Sequence, residues 1–184
     1  MNQEHHNAPD LSALLELFYG DSAELGRLTN VGTTDLPPAY QTLLAHQNHM
    51  TVTVEHFHRS PVDVRVLATR KDEHHYSRKI LLNKQSDGKV VQFGIVRLDF
   101  RHLSTAVRQA IESESTPLGR FLSEYNVLRE VHLSHLWRVE SGPDLASLFS
   151  IAPGTVTYGR TAIIDCNGEP AVELLEIVAP VDGP

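Results

Sequence analysis

Two side chains in this sequence have the types and settings for acid recognition. Arg78 lies in the run Ser77-Arg78-Lys79-Ile80-Leu81-Leu82. Glu176 lies in Leu174-Leu175-Glu176-Ile177-Val178. Both charges are embedded in apolar surroundings, where an unpartnered charge is very costly. Each must therefore meet a structural partner or a ligand, or, for Arg78, face solvent at a sheet edge. The forked donors of an arginine fit a carboxylate in two-point fashion. A buried glutamate has its pKa raised by desolvation, which suits proton transfer near neutral pH. Between them lies Thr116-Pro117-Leu118-Gly119-Arg120. Pro117 reads as the first residue of a helix, so the N–H groups of Leu118 and Gly119 are open to an anion or to plain capping. Tyr158-Gly159-Arg160 precedes the final hairpin. Arg and Glu on separate strands beside a helix start could hold a small aromatic acid, one at the carboxylate and one at the far end.

Other chemistries find less support. There are 11 histidines. His56 and His58 would share one face of a strand, whereas His74 and His75, or His132 and His135, would point apart. No His-Glu-x-x-His helix or cysteine pair completes a site, so no metal is expected. Cys166 is the only cysteine. It sits beside a hairpin tip with no helix start to activate it, so it reads as structural. Glu173 reads as a surface residue facing away from Glu176. There is no Gly-rich phosphate loop and no nucleophile elbow.

The elements that must position Arg78 and Glu176 follow from periodicity and turn chemistry. A polar arm, residues 1–8, is expected to be disordered, and residues 9–184 to form one domain. Leu11, Leu14, Leu15 and Phe18 recur at helical spacing after Pro9-Asp10. Residues 21–36 read as loop. Pro37-Pro38 opens a second helix with Tyr40, Leu43 and Leu44. Thr51–His58 alternates with the two-residue period of a strand. Val62, Val64 and Val66 resume that period after Pro61. His75–Asn83 and Val90–Phe100 flank Asp87-Gly88, a hairpin signal. Leu103–Ile111 reads as helix, Val127–Val139 as strand, and Pro143-Asp144 as a helix start. Asn167-Gly168 joins Val156–Cys166 to Ala171–Val178 as a hairpin. The sum is an α+β domain: about six strands in one antiparallel sheet, with helices covering one face and an enclosed ligand cavity.

Charge and composition narrow the partners. Net charge is −7 with 41% hydrophobic and 21% charged residues over 184 residues. An acidic chain of this kind is not expected to bind nucleic acid, which requires a basic face. No apolar run is long enough to span a bilayer and no signal peptide is read at the start. The lone cysteine fits a reducing compartment, so a cytoplasmic protein is expected. A monomer is expected, with a dimer left open.

On these residues the chain resembles the chorismate pyruvate-lyase family (4-hydroxybenzoate synthases), in particular its short DUF98-type branch. The resemblance runs from about Leu43 to Pro180. It rests on Leu43-Leu44 leading to Met50-Thr51, on Ser77–Leu82, Thr116–Arg120 and Tyr158-Gly159-Arg160, and on Gly168-Glu169-Pro170 leading to Glu176 and Pro180. It implies a cofactor-free carbon–oxygen lyase that splits chorismate into 4-hydroxybenzoate and pyruvate, with product inhibition from a closed pocket. It implies that Arg78 and the backbones of Met50 and Leu118, beside Gly119, hold the ring carboxylate. It implies that Glu176 meets the phenol end and is catalytic with Arg78. In the family's ubiquinone-pathway members a second Arg follows a strand glycine. Here Ile95 follows Gly94, so Arg97 is the nearest candidate for the second carboxylate, with Arg120 and Arg160 as others.

Catalysis by such a site needs neither metal nor strong nucleophile, because pyruvate loss aromatises the ring. Holding the dianion in a reactive pose and excluding water suffices. Glu176 would shuttle a proton or only position the substrate. The rival reading is a non-catalytic aromatic-acid-binding domain, since the same fold serves as an effector-binding domain in bacterial transcription regulators. The first fifty residues are too short and too weakly basic for an attached helix-turn-helix. A third reading is a related lyase giving a different hydroxybenzoate.

Overall fold

The computed structural model describes residues 8–113 and 129–181. The expected disordered arm falls almost wholly outside them. So do Leu118 and Gly119. Asp10 caps the first helix by accepting from the Ala13 N–H, and α1 runs Leu11–Glu16. A single 3₁₀ turn leads into β1, Gly26–Val31. Next come α2, Pro38–Leu44, and α3, Met50–His58. A meander follows: β2, Val62–Lys71; β3, His75–Lys84; β4, Val90–Asp99. Ser104 caps α4, Thr105–Glu112. Then come β5, Arg129–Ser141, α5, Pro143–Phe149, β6, Val156–Cys166, and β7, Glu169–Val178.

The strands form one antiparallel sheet in the order β1-β5-β6-β7-β4-β3-β2. That is seven strands against about six expected. Thr51–His58, expected as a strand, does not join the sheet, whereas β1, within the stretch predicted as loop, does. Its burial alternates only weakly, because it is an edge strand held by β5 alone. Turn chemistry held where it was strongest. Asn167 and Gly168 have φ of 55° and 85°, the left-handed pair that a two-residue hairpin requires.

Helices pack on both faces of this sheet. On one, Leu14 and Leu15 of α1 and Leu145 of α5 pack with Leu81, Phe93, Ile95, Leu175 and Ile177. On the other, Leu43, Leu44, Met50 and Val54 of α2 and α3 pack with Ile80, Leu82, Leu136 and Val178. Further along that second face, Val107 and Ile111 of α4 meet Val96, Ala162, Ile164 and Leu174. The alternation along β3, β4 and β7 sorts successive residues between these two cores. Both faces are covered, so the strands read as near-continuous apolar runs.

Thr51–His58 is a helix, not the predicted strand. Under the strand reading Val52 and Val54 would share the buried face. Instead Val52 is 65% exposed while Met50 and Val54 are buried and Phe57 is half-buried. That is the i, i+4, i+7 spacing of a helix laid on the sheet. The β-branched run misled because its weak strand preference is overruled by burial. Arg59 ends the helix in the left-handed conformation, and the Glu55 carboxylate accepts from the Val62 N–H to start β2. His56 and His58 are consequently on nearly opposite sides of α3, not on one face. Among the described residues no helix is long and apolar enough to cross a membrane.

Candidate functional site

The start of α3 lies over the face that carries Arg160 and Glu176. In the β6–β7 hairpin these two residues are directly opposite, and Gly94 of β4 is opposite Glu176 on its other side. The Arg160 Nε donates to Glu176 Oε2 at 2.8 Å. The side chains are 1% and 10% exposed, so this is a buried ion pair. Arg160 also donates to the carbonyl oxygens of His46 and Asn48, at 3.0 and 3.1 Å. One guanidinium thereby ties the final hairpin to the loop that enters α3. Gly159, just before it, has no room for a side chain: a Cβ there would lie 2.6 Å from the Glu176 carbonyl oxygen.

His49 stands at the N-terminal boundary of α3 with no capping bond from its side chain, and lines the same space. Arg129 donates from Nε to His49 Nε2, which makes that nitrogen the acceptor and leaves the proton on Nδ1. Burial, with Arg129 and then Arg160 nearby, pulls the His49 pKa down to about 4. His46 is lowered for the same kind of reason, burial first and Arg160 second, with Glu176 and backbone contacts acting the other way. Burial is the first cause at both imidazoles, so each is held neutral in the fold, with Arg129 beside His49 and Arg160 beside both.

A cavity of about 40 Å³ is lined from α3 by His49, Met50 and Thr51, and from the sheet by Gln92, Arg160 and Glu176 among apolar neighbours. At roughly 10–15 Å³ per water this holds a few waters. Its lining nevertheless spans β3, β4, β5, β6 and β7. Met50 is the flexible wall most able to yield to a larger guest.

Of the residues singled out from the sequence, Met50 and Glu176 line this cavity. Arg78 is buried on the same face, 1% exposed, opposite Val96, which lines the cavity too. The expectation that Glu176 shares its face with Leu174 and Val178 holds: Leu174 lines the cavity with it, and Val178 packs under α2 and α3. Arg97 does not join them. It pairs across strands with Glu173 at 3.4 Å, on the opposite face. Strand parity alone separates it from Gly94 and Val96. Glu173, expected at the surface, is this arginine's partner. Cys166 is fully buried, with its thiol pushed up to about 11 mainly by burial, as a structural residue.

Sequence reasoning offered Arg160 only as one of several arginines and missed His49 and Gln92. Arg160 had a usable signal, because strands joined by a two-residue turn at Asn167-Gly168 place residues 160 and 176 near one another. Gln92 is 2% exposed and its Oε1 has no hydrogen-bond partner among the described residues. A glutamine inside Val90-Val91-Gln92-Phe93 could have been flagged as a polar residue in a buried run.

Neither protein-family models nor curated proteins give a match to this chain. Solved structures do. The chain is similar to PhnF from Mycobacterium smegmatis at 10% identity and TM-score 0.54, covering 73% of this chain and 64% of that one. Against the effector domain of the same protein the TM-score is again 0.54 at 10% identity, with 71% of this chain and 88% of that domain covered. A ligand-binding domain described as from a GntR-family transcriptional regulator of Bordetella bronchiseptica matches at 16% identity and TM-score 0.47, over 64% of this chain and 85% of that one. The PhnF comparisons show the fold alone, and it is the chorismate lyase-like one. The chain spans under two-thirds of full-length PhnF and most of its effector domain.

Proposed function

We propose that this chain is a small-molecule-binding module of the effector-domain kind, taking a small organic acid of the aromatic class. The observation that carries this reading is the buried Arg160–Glu176 pair roofed by the start of α3 and lining a cavity. A fixed cation and a fixed carboxylate on one wall orient a guest that has an acid at one end and a hydrogen donor at the other. The effector domain of PhnF shares the fold, which supports a binding role for this site. Glu176 is tied to Arg160 as an acceptor. That arrangement suits holding a ligand hydroxyl better than delivering a proton.

A second reading, the chorismate lyase, is favoured by one specific convergence. Arg78, Met50 and Glu176, the residues the resemblance implies, gather on one face of the sheet. Arg78 and Glu176 are two strands and one row apart, roughly 12 Å from strand spacing. With two long side chains reaching inward, that separation suits the two ends of a small aromatic acid. In this reading Arg78 anchors the ring carboxylate and Glu176 positions the C4 end while the ring aromatises.

One experiment separates the two. The purified chain is titrated calorimetrically with 4-hydroxybenzoate and, in parallel, mixed with chorismate while pyruvate is followed. Binding without pyruvate supports the effector module. Stoichiometric pyruvate and 4-hydroxybenzoate establish the lyase. Absence of both signals removes the aromatic acid from consideration.

A further inference from the structure

The acceptor atom Gln92 Oε1 is buried and has no hydrogen-bond partner among the described residues, although the side chain lines the cavity. Its cross-strand neighbours are Leu82 on β3 and Val178 on β7. Neither can donate. Glu176 is the diagonal neighbour, because Gly94, two residues along β4, is opposite it. A carboxylate cannot donate either. Three of Arg160's donor hydrogens are committed to Glu176, His46 and Asn48. A Cβ on Gly94 would approach Ile80 Cγ1 to 3.2 Å, so that side chain would have to give by a few tenths of an ångström. Two acceptors therefore flank one small patch of floor. Leaving such an acceptor buried and unsatisfied is unfavourable, and few native residues do so without a reason.

We propose that Gln92 is a specificity-determining residue that, together with Glu176, selects ligands carrying a hydrogen-donating tip, a hydroxyl or amino group, over same-sized ligands without one. The proposal rests on the reading of this cavity as the site for a small aromatic acid. The donor hydrogen that the protein withholds from Gln92 comes from the guest. A methyl group in its place leaves the Gln92 oxygen dry and unpaired and Glu176 with Arg160 alone. Sites built to bond a ligand hydroxyl reject the analogue lacking it far more strongly than apolar pockets reject a size change.

The test uses the full chain, wild type and Gln92→Met, with 4-hydroxybenzoate and 4-methylbenzoate as probes in calorimetry. Wild type is expected to prefer the hydroxyl probe by at least about ten-fold. In Gln92→Met the preference should collapse to about three-fold or less, since only Glu176 remains, while 4-methylbenzoate binds as well as before or better. A variant that keeps the full hydroxyl preference overturns the role of Gln92 and leaves the cavity reading intact. Failure of both probes to bind wild type overturns the cavity reading, and the specificity claim with it. A readout without ligand runs alongside. Removing a buried acceptor that has no donor should raise the thermal midpoint of the free chain, whereas a lowered midpoint means that Gln92 is satisfied within the fold and overturns the proposal.

Discussion

Replacing Arg160 with leucine tests the central pair of the site. The substitution removes the 2.8 Å contact to Glu176 and the two donors to His46 and Asn48. It leaves the Glu176 carboxylate, 10% exposed, without its cation. Breaking a buried ion pair from one side costs about 3–5 kcal/mol, most of it the stranded charge. His46 is half-buried and Asn48 exposed, so their loop can turn its carbonyls to water and they add little. For a chain of this size each kcal/mol moves the midpoint roughly 2–4 °C, so a drop on the order of 10 °C is expected. Replacing both partners, Arg160→Leu with Glu176→Leu, removes the stranded charge and should recover much of the loss. Urea unfolding of wild type, both single variants and the double variant closes the cycle. A coupling of at least about 1.5 kcal/mol is expected for residues in direct contact. Additive losses, or an Arg160→Leu midpoint within a degree or two of wild type, would refute the assignment of this pair as the buried hinge of the site.

Further outcomes follow from the same geometry. His49 has its pKa lowered to about 4 in the fold against about 6.5 when unfolded, so the unfolded chain binds the extra proton between those values. Stability should therefore fall as pH drops from about 6.5 toward 4, with His46 contributing in the same direction, and His49→Gln should flatten that slope in denaturation series. Gly159→Ala should lower the midpoint by the equivalent of at least about 2 kcal/mol, because its Cβ meets backbone and not a movable side chain. The Cys166 thiol, buried and pushed up to about 11, should resist a thiol reagent in the native chain and react fully in denaturant.

The sequence by itself determined the elements with strong local causes. Asp10 and Pro38 start helices because a capping oxygen and a fixed φ act within one turn. Asp87-Gly88 and Asn167-Gly168 make hairpins because Gly88, Asn167 and Gly168 accept the left-handed φ that the turns need. The two-residue period then placed Glu176 on a face with Leu174 and Val178, and marked Arg78 as a charge in an apolar run that a structural partner, a solvent-facing edge or a ligand must satisfy. Tertiary structure decided what depends on contacts far apart in the chain. Thr51–His58 is β-branched in pattern but helical in fact, since Met50, Val54 and Phe57 find the sheet only at helical spacing. β1 is a strand because β5 offers an open edge, which nothing in residues 26–31 announces. Arg97 and Arg78 look alike as strand arginines, and pairing across β3, β4 and β7 alone puts them on opposite faces. The pairing of Arg160 with Glu176, the proximity of both to His49, and the unpartnered acceptor of Gln92 exist only once four strands and the start of α3 are brought together. Local chemistry fixes a residue's conformation, but its electrostatic partner is chosen by the long-range register of the sheet.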